Sequence, residues 1–139
     1  MKQLIQLLLF IPLVFSCSSE EEELPGDTTS AVIWTGSNKT FSKEDGSDHT
    51  LINNQDVLTS NVSITRANNG GQIFNITKED SADENSSPAG TVWSIGNINN
   101  IDNLTFTNFR STVGKPKDVV GLNLIMALID VNIFLSVYF

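Results

Sequence analysis

The feature that most constrains this chain is its last stretch, residues 119–139, which holds 21 positions and a single charge, Asp130. A run of that length is either a membrane-spanning helix, which needs about 20 apolar residues, or a pair of buried strands. A helix would set Asp130 near the bilayer centre at a cost of about 2.5–3.5 kcal/mol, and Asn123 and Asn132 would add to the polar load. Strands explain more of the pattern. Leu122, Leu124, Met126 and Leu128 alternate on one face, turn residues gather at Asp130, Val131 and Asn132, and Ile133, Leu135, Val137 and Phe139 alternate again. The stretch predicts a hairpin and, with it, a β fold.

The rest of the chain from residue 31 agrees. Short β-branched and aromatic runs at residues 31–34, 39–42, 61–66, 72–77, 91–95 and 104–109 are separated by Asn, Gly, Ser and Asp, which reads as strands joined by turns. The sequence Asn68-Asn69-Gly70-Gly71 tolerates the positive φ angles of a tight turn, so 61–66 and 72–77 should pair antiparallel. Val62 and Ile64 are expected to meet Phe74 and Ile76 on one face. Residues 109–113 can form one helical turn. The polar segment 78–88 is expected to be a mobile loop and the first place for a proteolytic nick. With about 110 residues there is enough chain for one modest core. The expectation is one small antiparallel, sandwich-like all-β domain over 31–139.

The other end of the chain is different in kind. Met1-Lys2-Gln3 precedes twelve residues, 4–15, interrupted only by Gln6 and Pro12, and then comes Cys17, the sole cysteine. Twelve apolar positions are too few to cross a bilayer, so residues 1–16 read as an export leader. The sequence Val14-Phe15-Ser16-Cys17 resembles the lipobox of bacterial lipoproteins, in which the thiol is acylated and the chain is cut before the cysteine. That resemblance implies a lipid anchor at Cys17, an outer-membrane location in the cell envelope and a membrane as partner. Two or more acyl chains hold a protein stably at about 0.8 kcal/mol per buried methylene. One cysteine allows no intramolecular disulfide, so packing must supply cohesion.

Residues 17–30 include four consecutive glutamates, Glu20 to Glu23, and are too polar and like-charged to collapse. They are expected to form a tether. Acidic residues after the lipidated cysteine also resemble the surface-export signal of Bacteroidetes-type lipoproteins, against the plainer reading of a solvated spacer. Once Lys2 leaves with the leader, sixteen acidic residues face seven basic ones, a balance of −9. No basic stripe is present for phosphate contacts, which argues against nucleic acid as a partner.

A second resemblance covers residues 34–139. The series NQDVLTSNVSITRANNGGQIFNI, SSPAGTVWSIG, LTFTNF and VVGLNLIMALIDVNIFLSVYF is similar to a secreted bacterial β-rich domain with no assigned activity. This chain departs from that pattern at Val92, Ala127, Val131 and Asn132, where the pattern has a glutamate, a histidine and paired aspartates. The pattern also runs on past Phe139, so the likeness implies a domain shortened at its C-terminal end, with an unprotected sheet edge.

Groups able to do chemistry are sparse. There is one histidine, His49, no G-x-S-x-G and no glycine-rich phosphate loop. Glu44, Asp45, Gly46 and Asp48, with Asp56 nearby, carry enough carboxylate oxygen for Ca²⁺, with Asp45, Asp48 and Asp56 as candidate ligands. The spacing does not match an EF-hand, and the same residues suit a plain Asp-Gly turn. Trp34 and Trp93, with Phe41, Phe106 and Phe109, are either a stacking platform for a glycan or parts of the core. Asp27-Thr28-Thr29 and Asp80-Ser81-Ala82 resemble a Bacteroidetes-type O-glycosylation motif. The expected function is an envelope-anchored, non-catalytic module that binds a glycan or a protein. The alternatives are a calcium- or carboxylate-dependent hydrolase and a shortened remnant without activity.

Overall fold

The computed structural model describes residues 30–139. The leader, Cys17, the acidic tether and Asp27-Thr28-Thr29 lie outside the described residues. Within them the chain is an all-β domain of two sheets with short helical turns between strands. Its seven strands are β1 (Val32–Ile33), β2 (Asp56–Val57), β3 (Ser63–Arg66), β4 (Ile73–Asn75), β5 (Thr91–Ile95), β6 (Leu124–Leu128) and β7 (Ile133–Val137). One helix, α1 (Phe109–Val113), follows a single bridge between Trp93 and Thr107.

The larger sheet has the order β1-β7-β6-β5 and the smaller one β2-β3-β4. All pairings are antiparallel except the edge pair β1–β7, which is parallel. The C-terminal run is the hairpin its alternation predicts. β6 and β7 pair from Leu124↔Val137 to Leu128↔Ile133, and the turn closes through Asn132 in the left-handed region at φ 50. Among the described residues no helix is long and apolar enough to cross a membrane.

β6 lies between β5 and β7 and is buried along its whole length. Leu124, Met126 and Leu128 join Trp93, Val62, Ile73, Phe109, Val113 and Val119 in the main core. Ile125 and Ala127 point to the other face, where Phe106 packs edge-on against Phe134 of β7 at 5.4 Å. A strand covered on both faces has to be apolar at every position, which explains the unbroken sequence LIMAL.

Three expectations need correction. Residues 39–42 form no strand, and nearly all of that segment is exposed. Residues 104–109 do not form one either. Asn108 caps a helix there, its side chain accepting from the N–H of Ser111 at 2.7 Å, and so pulls Phe109 into α1. The β3–β4 register puts Ile64 opposite Asn75 and Thr65 opposite Phe74. Phe74 therefore lies on the face away from Ile64, edge-on to His49 at 5.7 Å, and Ile73 takes its place in the core.

The segment after β4 is also better fastened than its composition suggests. Asn75, fully buried, accepts from the N–H of Ser63 and from Thr77, and donates to Asn61 O and Ala89 O at 2.8 Å. Glu79 accepts from the N–H groups of Asn75 and Ala89 at 2.7 and 2.8 Å. The N–H of Phe109 donates to Ser87 Oγ, and Lys78 reaches Asp130 across the fold at 2.8 Å. Loop 78–88 is pinned at both ends and in its middle.

Candidate functional site

The two sheets face one another without closing. Between them runs a cleft of about 920 Å³, within the range of about 300–1,000 Å³ common for ligand sites. Its position follows from strand alternation. Ile133, Leu135 and Val137 of β7 share a face with Met126 and Leu128 of β6, and that face turns toward Ile64 and Ile73 of the smaller sheet. The segment from Ser37 to Lys43, without strand partners, runs along the mouth. The walls are mostly aliphatic.

Aromatic residues mark the opening. Trp34 (55% exposed), Tyr138 (70%) and Phe139 (48%) all line it. Trp34 lies over Gly36 so closely that a Cβ at position 36 would run into the indole. This glycine sets where the ring can lie. Phe139 in turn leans on Trp93 at 6.4 Å and on Phe109 at 6.3 Å.

The other predicted tryptophan plays a different part. Trp93 is 1% exposed, its indole N–H donates to Thr91 Oγ1 at 2.9 Å, and its ring meets Phe109 edge-on at 5.1 Å. No face of that ring is open for a sugar to stack on. It supports the cleft from below. Of the remaining aromatics named from the sequence, Phe41 lines the cleft, whereas Phe106 and Phe109 lie elsewhere in the packing.

The charged lining consists of Lys39, Lys43, Arg66 and Asp56. Lys39 Nζ stands 2.7 Å from the buried Asp56 Oδ1, while its aligned hydrogen bond goes to Val57 O at 2.9 Å. Lys43 is buried and donates to Ser47 O at 2.7 Å and to Ala67 O at 3.4 Å. Arg66 binds Asp45 Oδ1 at 2.9 Å, Gly70 O and Lys43 O. The cations are already engaged: Lys39 with Asp56, Arg66 with Asp45, and Lys43 with backbone carbonyls.

The three candidate calcium ligands are not brought together. The Arg66 guanidinium beside Asp45, by hydrogen bond and charge, holds its carboxyl below the usual range. Asp48 caps Thr50, accepting from its N–H at 2.9 Å and its hydroxyl at 2.8 Å, and is lowered by those bonds. Asp56 faces Lys39. Among the described residues no group of three or more His, Cys, Asp or Glu side chains is placed to hold a metal ion. Gly46, at φ 75, makes the Asp45-Gly46 segment a turn. His49 is held by Asn68, whose Oδ1 accepts from its backbone N–H at 3.0 Å and lies 2.8 Å from its Nδ1.

A second depression, of about 480 Å³, is lined by Gly71, Glu84, Arg110, Lys115, Pro116 and Lys117 and opens widely to solvent. The cleft itself was hidden from sequence reasoning because its walls come from β3, β4, β6 and β7 together. Of the residues singled out from the sequence, Trp34, Phe41 and Asp56 line it and Trp93 lies beneath. No family model matches the chain, and neither a curated protein nor a solved structure does.

Proposed function

We propose that this chain is an envelope lipoprotein, anchored through Cys17 to the outer membrane and exposed at the cell surface, whose β domain is a non-catalytic module that binds a protein ligand in the inter-sheet cleft. The observation that carries the binding role is the open cleft itself, with its aliphatic walls and exposed Trp34, Tyr138 and Phe139. Exposed aromatics beside an apolar cleft are common anchors of protein interfaces. A glycan fits less well, because sugar hydroxyls set against Ile64, Leu135 and Val137 would lose water without gaining partners. The anchor rests on the lipobox-like Val14-Phe15-Ser16-Cys17 and on the acidic residues that follow it.

Two measurements test the two halves. Radiolabelled palmitate should enter the native chain and not Cys17→Ala, and equal labelling of both would rule out the anchor. The dye 1-anilinonaphthalene-8-sulfonate should fluoresce in the folded native protein and much less in Leu135→Glu that retains native circular dichroism. Equal fluorescence would show that the cleft takes no apolar ligand. A glycan-array signal abolished by Trp34→Ala would give the site to sugars instead.

A further inference from the structure

The backbone beside the cleft narrows the kind of ligand. On its outer side β7 is paired with β1 only at Ile133 and Phe134. The N–H groups of Val32 and Trp34 donate to Asn132 O and Phe134 O at 3.0 and 2.9 Å. After Trp34 the chain turns away into the segment along the cleft mouth. Backbone groups alternate sides along a strand, so those of 133, 135 and 137 serve β6, and those of Ser136 point the way that Phe134 points. Among the described residues no strand pairs with β7 there beyond Phe134.

This open edge adjoins the open cleft. The side chains of Leu135 and Val137 enter the cleft, so a strand laid beside β7 would place every second side chain over that same apolar space. One occupant thus satisfies two separate features, unpaired backbone groups and uncovered aliphatic walls.

We infer that the edge of β7 at Ser136 accepts an extended peptide segment of a partner protein, with apolar residues at alternate positions filling the cleft and polar residues between them. This is recognition by strand addition, in which main-chain hydrogen bonds give affinity and pockets for alternate side chains give specificity. It rests on the protein-binding reading above and specifies its mode.

The test uses the full mature chain and a fluorescent synthetic peptide alternating valine with threonine. Two control peptides accompany it, one N-methylated at alternate amides and one with its valines made contiguous. Anisotropy should show binding of the alternating peptide and a loss of at least about tenfold with either control, as expected when buried backbone groups go unpaired. Ser136→Pro should give a similar loss. Proline is tolerated at a strand position whose N–H faces outward, so the β6–β7 ladder is kept. The N-methylated peptide makes the same test on an unaltered protein.

Equal affinity for the N-methylated peptide overturns the inference. So does the absence of peptide binding where the dye still enters the cleft, a result that leaves the cleft reading standing. Failure of both dye and peptide removes the cleft reading with it. Concentration-dependent self-association abolished by Ser136→Pro would assign the edge to a second copy of the chain, and the partner strand would then be excluded.

Discussion

Glu79 accepts a hydrogen bond from the N–H of Asn75 at 2.7 Å with the same carboxylate oxygen that takes the N–H of Ala89 at 2.8 Å. One side chain thus closes the edge of β4 and fixes the far end of loop 78–88. An anion covering a backbone edge is one of the ways sheets avoid pairing with other chains. Glu79→Ala should therefore expose residues 80–87 to limited proteolysis that the native protein resists. Equal cleavage of the two would show that the loop is held by other contacts.

Asn75 is the second half of that arrangement. It is fully buried and uses both ends of its amide within the fold. Removing the amide leaves Ala89 O and Ser63 N–H without the partner it supplied, while Asn61 O keeps the Thr77 hydroxyl, and each orphaned group costs about 1–3 kcal/mol. Asn75→Ala should lower stability by at least about 2 kcal/mol in denaturant unfolding, and a change below about 1 kcal/mol would refute this.

The two tryptophans should separate cleanly. Trp93→Ala removes a buried ring and should cost about 3–5 kcal/mol, enough to unfold a marginal domain. Trp34→Ala touches a side chain 55% exposed and should stay within about 0.5 kcal/mol of the native protein while weakening dye or peptide binding. A large loss of stability at Trp34, or a small one at Trp93, would invert their roles.

Acid should act partly through Asp45. Its pKa is lowered by Arg66 in the folded chain, so the contact stabilises above the unfolded-state pKa, near 3.9, and is lost as pH falls through the lower folded value. The contact is exposed and its effect is small. In acid titrations below about pH 5 the native protein should lose more stability than Asp45→Asn. Parallel curves would show that the pair contributes nothing.

Some of this architecture was written plainly in local pattern and some was not. β5 is found where its β-branched run begins and ends, and α1 spans the one helical turn expected. The C-terminal hairpin follows from alternation around a turn. Residues 39–42 carry similar composition and stay unpaired. The β3–β4 register was out of reach because sliding one residue exchanges Phe74 for Ile73, and both are apolar. Asn75 looked like an ordinary polar strand residue. Its value depends on Ala89 and Asn61, which only the folded chain brings near. The cleft needs four strands at once, and no window of sequence contains them.

The parallel pairing of Val32 with Ile133 joins opposite ends of the described chain. Such a contact forms late, because a loop of that length must close before its few hydrogen bonds can repay the lost entropy. Until then β7 has no neighbour on its outer side at any position, and the folding chain passes through a stage in which that strand is a sheet edge along its whole length.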